Sequence, residues 1–193
     1  MPAEEGVDPI GVALLVGTAI EAAGGSYFVG GSLASSLQGE PRATNDVDIV
    51  LALPIGRVDR LVAGLGPAFE VDTDMLRDAL LHGRSCNIFY LPVVMKVDLF
   101  AVGPTPFDES EFARRRSVVV RGVETLVLKS PEDTVLRKLL WYREGGFVSD
   151  RQWRDVVEVL RVSGAGMSAE YLTEWARRLG LSDLLGRAKE EAG

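Results

Sequence analysis

The sequence predicts an α/β (α+β) fold, with a mixed central sheet flanked by helices and followed by a mostly helical C-terminal part. Three observations carry this. Short apolar runs of strand length, at 27–29, 46–53, 85–91 and 93–102, alternate with segments of helical period. The two runs that meet at Pro92 are too close for a parallel crossover, which takes about a dozen residues, so some pairing is antiparallel. Beyond residue 128 serines precede helix-period stretches at 130, 149, 168 and 182, so the end of the chain is helical.

Taken in order, Ile10, Val12, Ala13, Leu14, Val16, Ala19 and Ile20 recur with helical spacing, and Gly24-Gly25 ends the run. Tyr27–Val29 reads as a strand running into Gly30, Gly31 and Ser32. A short helix through Leu33, Ala34 and Leu37 follows, then a loop over 39–45 interrupted by Pro41. The strand from Asp46 to Leu53 stops at Pro54, and Ile55, Val58, Leu61, Val62 and Leu65 mark an amphipathic helix. A short strand at 69–71, a helix capped by Thr73 and ending near His82, and two strands broken at Pro92 come next. Glu109 to Arg116 reads as a helix, and 118–120 with 125–128 as a hairpin around Gly122. Ser130-Pro131-Glu132-Asp133 then opens a helix that Gly145-Gly146 closes.

The 193 residues suffice for one domain or a compact unit of two halves, and 47% hydrophobic with 25% charged residues is an ordinary globular balance. A single cysteine, Cys86, excludes an internal disulfide and suits a reducing compartment. With no apolar run of membrane-spanning length, the expected location is cytoplasmic and no membrane partner is expected. Net charge is −7, unevenly spread: residues 1–109 hold 15 acidic and 6 basic side chains, whereas 110–161 hold 8 and 11. The acidic half suits cations, and the mildly basic segment could face a phosphate-rich substrate.

The stretch Tyr27–Leu53 concentrates the chemistry. Asp46 and Asp48 stand two apart in a run of Val, Ile and Leu, where an unmatched carboxylate costs several kcal/mol or more. Residues two apart on a strand share a face about 6.6 Å apart, a spacing that suits two acids sharing one or two divalent cations. Gly30 and Gly31 permit a tight turn and close approach, and the helix after Ser32 offers its N-terminus to an anion. The plainer readings are a solvated edge pair for the acids and an ordinary strand-to-helix turn for the glycines.

Gly30-Gly31-Ser32 followed by Asp46-Val47-Asp48 resembles the signature of the nucleotidyltransferase superfamily that includes DNA polymerase beta, the aminoglycoside nucleotidyltransferases and the tRNA nucleotidyltransferases. The resemblance implies a third carboxylate on a neighbouring strand, and Asp98 in VVMKVDLFAV matches it. The second half, SPEDTVLRKLLWYREG and RQWRDVVEVL, is similar to the helical half of bacterial abortive-infection type nucleotidyltransferase toxins, with Lys138 and Asp155 at the matching positions. A nucleotidyltransferase core over 1–104 and a hairpin plus helical part over 105–193 are therefore expected.

What the resemblance implies is an Mg2+- or Mn2+-dependent enzyme that moves a nucleoside monophosphate from a nucleoside triphosphate to a hydroxyl and releases pyrophosphate. Asp46, Asp48 and Asp98 would hold metal, with Asp98 taking the acceptor's proton. Gly30, Gly31, Ser32, Arg42 and Thr44 would meet the nucleotide, and Lys138 would reach the triphosphate. Bland alternatives stand beside several of these. Asp98 could pair with Lys96, Lys138 could lie on a solvated helix edge, Asp155 could pair with Arg151, and Thr44 could be a local cap. The expected acceptor is tRNA or another RNA, with a cognate antitoxin as a partner. An aminoglycoside-like small acceptor and a non-catalytic nucleotide-binding or antitoxin-interaction module are the alternatives.

Overall fold

A computed structural model describes residues 8–193. Helix α1 (Pro9–Ala22) starts where the Asp8 carboxylate accepts the Gly11 amide at 2.9 Å, with Pro9 in the first position, where its missing N–H costs nothing. Gly24, at φ +86°, reverses the chain into β1 (Ser26–Val29). Next come α2 (Gly31–Gln38), β2 (Asp46–Ala52), α3 (Val58–Leu65), β3 (Phe69–Glu70), α4 (Thr73–Leu81), β4 (Ser85–Tyr90) and β5 (Met95–Ala101). Helix α5 (Pro106–Ala113) leads into the hairpin β6 (Arg116–Val120) and β7 (Glu124–Leu128). The chain then runs through α6 (Pro131–Glu144), α7 (Asp150–Ser163), α8 (Ala169–Arg178) and α9 (Ser182–Ala192).

Two helix starts differ from the sequence expectation. Asp72, not Thr73, caps α4, its carboxylate accepting the Met75 amide at 2.9 Å. Helix α5 begins at Pro106 rather than Glu109, because Thr105 and Asp108 form a reciprocal capping box that closes the first turn earlier.

Among the described residues seven strands form one sheet, ordered β3-β4-β5-β2-β1-β7-β6. β2 runs parallel to β5 and β1 to β7, while the remaining neighbours are antiparallel, so the sheet is mixed. The hairpin expected with the C-terminal part thus lies in the sheet, beside β1. One face is the core: Val47, Ile49 and Leu51 of β2 alternate into it with Tyr27, Val29, Ile88, Val97 and Leu99, under Val12, Val16 and Ile20 of α1, Leu61 of α3 and Leu76 of α4. Full burial of each such aliphatic side chain contributes about 1.5–3 kcal/mol, which pins the register of β2 and β5, since a one-residue slip would exchange the faces. The opposite face then receives Asp46, Asp48, Lys96 and Asp98. Phe28 also points there and is buried against Phe112 of α5, ring centroids 5.8 Å apart.

The chain divides into two compact units. The sheet unit runs to Leu33 and resumes over Thr44–Leu128; the helical unit comprises Ala34–Ala43 and Lys129–Gly193. Within the helical unit α6 packs on α7 and α7 on α9, burying Leu136, Leu139, Val156, Val159, Leu172 and Leu185. No helix among the described residues is long and apolar enough to cross a membrane.

Candidate active site

In the sheet unit β1 delivers the glycine turn directly against β2. The Gly30 amide donates to the Asp48 carbonyl at 2.9 Å. Gly31 follows at φ +55°, and a Cβ there would lie 2.5 Å from Asp48 Cγ, 2.9 Å from Asp48 Cβ and closer still to Oδ2. Only glycine satisfies both the left-handed backbone and this contact. Because α2 begins at Gly31, the positive end of that helix stands beside the Asp48 carboxylate, with Ser32 in its first turn.

The parallel pairing of β2 with β5 sets the acids in register. Asp48 is opposite Asp98, Asp46 is opposite Lys96, and Asn87 of β4 is opposite Asp98 on its other side. Partners across a ladder share a face, about 4.8 Å apart, so the three aspartates meet on one face with Lys96 among them. Lys96 Nζ stands 2.7 Å from Asp98 Oδ2, and the Asp98 side chain is only 12% exposed. The Asp98 hydrogen bond outweighs the opposing effect of burial. Together with the charges of Asp98, Asp46 and Asp48 it raises the Lys96 ammonium above its ordinary value, so Lys96 is a cation at neutral pH. Thr44 donates from Oγ1 to Asp46 Oδ1 at 2.8 Å.

Arg42, Lys138 and Asp155 meet in the helical unit. Arg42 Nε donates to Asp155 Oδ1 at 2.9 Å and its terminal nitrogen to Oδ2 at 2.7 Å, the forked geometry of a bidentate pair. Lys138 Nζ donates to the same Oδ2 at 2.7 Å and to Gln152 Oε1 at 3.1 Å, and Ser35 Oγ donates to Oδ2 at 3.1 Å. Lys138 is buried rather than on a solvated edge, and the partners of Asp155 here are Arg42 and Lys138. Burial alone would raise the Asp155 carboxyl. The hydrogen bonds from Arg42 and Lys138 overcome this and hold it below the usual carboxylate range. Arg42, expected at phosphate, has its fork on this carboxylate.

Sequence reasoning noticed Lys96 only as a partner for Asp98 and passed over Asn87. The signal for Lys96 was its place two residues before an acid on a strand, which puts both on one face. A groove of about 1010 Å3 elsewhere in the sheet unit, lined by residues including Asp8, Thr18, Gly64, Arg121 and Glu124, is bordered by none of the three aspartates.

The mixed sheet flanked by helices, with the glycine turn set against β2, has a nucleotidyltransferase fold. Solved structures agree over nearly the whole chain. An antigenic nucleotidyltransferase-like protein from Paracoccidioides brasiliensis superposes with a TM-score of 0.57 at 18% identity, covering 95% of this chain and 93% of that one. The ANT(2″)-Ia complex with adenylyl-2″-tobramycin gives 0.52 at 13% identity over 88% of this chain and 95% of that one. The solution structure of the antibiotic-resistance factor ANT(2″)-Ia gives 0.52 at 16% identity over 93% and 97%. No protein-family model and no curated protein sequence matches the chain.

Nucleotidyltransferases generally use divalent metals, and the residues can be tested for that fit. Among the described residues no three His, Cys, Asp or Glu side chains are gathered as a ready cation cage. The side-chain partners explain why, since Asp98 is turned to Lys96 and Asp46 to Thr44. The donor set nevertheless consists of carboxylate oxygens on one face beside a cradle that a Cβ would fill, a chemistry that suits a hard divalent cation and not a soft metal.

Proposed function

We propose that the chain is a metal-dependent nucleotidyltransferase that moves a nucleoside monophosphate from a nucleoside triphosphate to a hydroxyl acceptor and releases pyrophosphate. The observation that carries this is the register seating Asp48 beside Asp98, with Asp46 two residues along and Gly31 against Asp48. A divalent ion held by Asp46, Asp48 and Asp98 would neutralise charge on the triphosphate and acidify the attacking hydroxyl. The chain's own residues do the rest. At the positive end of α2, the Gly31 amide and the Ser32 amide and hydroxyl donate to phosphate oxygens, and the Gly30 amide bonded to Asp48 keeps that turn in place. Thr44 fixes the rotamer of Asp46. Asp98 accepts the acceptor's proton as the hydroxyl oxygen attacks the α-phosphorus in line and the bond to pyrophosphate breaks. Positioning and charge, rather than a covalent intermediate, supply the rate. Arg42, Lys138 and Asp155 enter this reading as the charged centre of the helical unit, in place of a direct contact with phosphate.

Two acceptor classes rest on different observations. The 11 basic against 8 acidic side chains in 110–161 support tRNA or another RNA. The likeness to ANT(2″)-Ia over 95–97% of its length, with the acid excess of residues 1–109, supports a small polycation bearing hydroxyls, such as an aminoglycoside. No antitoxin partner is part of this reading. Incubating the protein with α-labelled triphosphates and Mg2+, with total tRNA in one arm and tobramycin in the other, tests both. Label on RNA or on the aminoglycoside identifies the class, and label on neither with any triphosphate refutes both acceptor assignments. Asp48→Asn should lower transfer about a hundredfold or more with the circular dichroism spectrum unchanged; unaltered transfer would remove Asp48 from the mechanism.

A further inference from the structure

Among the acids of this face stands a lysine placed as specifically as they are. Lys96 is opposite Asp46 in the β2–β5 ladder and two residues from Asp98 on its own strand, so it shares the face of all three carboxylates. Its Nζ is 2.7 Å from Asp98 Oδ2, and its side chain is 41% exposed against 12% for Asp98. A lysine needed only to solubilise a strand would extend into water. This one is folded back onto the least exposed acid of the set. A divalent ion drawn to the same carboxylate meets a fixed positive charge within a few ångströms, and both cannot own the oxygen that Lys96 holds.

We propose that Lys96 is a positioning residue that acts as a tethered cation, holding Asp98 and competing with the divalent metal for it, so that the acid face binds metal weakly until a triphosphate arrives. This deepens the nucleotidyl-transfer reading and rests on it for the role of the three aspartates. The incoming triphosphate brings its own negative charge, which offsets the repulsion between the ammonium and the metal. Lys96 therefore makes metal binding depend on nucleotide.

The test measures Mn2+ binding by electron paramagnetic resonance, with no nucleotide or acceptor present, in the wild type, Lys96→Gln and Lys96→Arg. Lys96→Gln should bind Mn2+ about tenfold more tightly than the wild type, the size expected for removing one charge a few ångströms from a divalent ion in a hydrated site. Lys96→Arg, which keeps the charge, should stay near the wild type, and adding a non-hydrolysable triphosphate should narrow the gap. Equal or weaker binding in Lys96→Gln overturns the proposal. If Lys96→Gln is unfolded in chelator, recovery of the fold by Mn2+ supports the proposal, and no recovery assigns Lys96 a purely structural role and overturns it. Failure of label transfer with this Mn2+ contrast intact refutes only the proposed reaction. Absence of Mn2+ binding in every variant removes the metal role of the aspartates and this inference with it.

Discussion

Gly31→Ala is the substitution whose cost the geometry defines most closely. The backbone there sits at φ +55°, where an L side chain crowds its own carbonyl at a cost of about 1–2 kcal/mol. The new methyl would lie 2.5 Å from Asp48 Cγ and 2.9 Å from its Cβ; turning Asp48 relieves the first contact, whereas the second, at the root of the side chain, needs the backbone to give by a few tenths of an ångström. Pushing a side chain off its rotamer adds about 0.5–1.5 kcal/mol, for a total of about 1.5–3.5 kcal/mol. At about 2–4 °C per kcal/mol for a chain of this size, the melting temperature should fall by about 3–14 °C. Urea denaturation followed by circular dichroism measures the change directly. Repeating it in an Asp48→Ala background separates the two parts: with the carboxylate gone, the cost of Gly31→Ala should drop by about 0.5–1.5 kcal/mol, towards the backbone share alone. An equal cost in both backgrounds, or a cost under about 0.5 kcal/mol in the native chain, would refute the close approach of turn and acid.

Asp155 makes the helical unit sensitive to acid. Its folded carboxyl is held below the ordinary value, so as pH falls the unfolded chain takes the proton first. The stability it lends is complete above the unfolded value of about 3.9 and is lost as pH drops through the folded one. Asp155→Asn should flatten that acid limb in denaturation followed against pH, and an unchanged limb would count against the assignment. Thr105→Ala, which removes one half of the capping box on α5, should cost about 1 kcal/mol and lower the melting temperature by about 2–4 °C; a shift below 1 °C would mean the box contributes nothing.

The fold was legible where punctuation and period agreed. Gly24-Gly25, Pro54 and Ser130-Pro131 each fall at an element boundary, and the strand runs through Asp46 and Asp98 lie where their apolar alternation put them. That Asp98 stands on a strand neighbouring Asp46 and Asp48 came from the family resemblance, whereas the direction and register of that pairing were not legible. That β5 runs parallel to β2 with Asp48 opposite Asp98 depends on packing between segments some fifty residues apart, which no local pattern encodes. The early start of α5 was missed because Thr105 precedes a proline between loop residues and its partner Asp108 is not the usual Glu or Gln. The charged set on Asp155 was missed for a similar reason. Arg42 lies 113 positions away, so an i, i+4 partner such as Arg151 was the nearest alternative the sequence could offer.

The parallel ladder between β2 and β5 also bears on how the chain reaches its folded state. Residues 53–94 must be looped out before the two strands can meet, so this contact carries a loop-closure cost in chain entropy. A bare aspartate pairing there would be repelled by the two on β2. Lys96 travels on the same strand as Asp98, so the incoming segment carries no net charge of its own, and the ladder can zip shut before any metal is present.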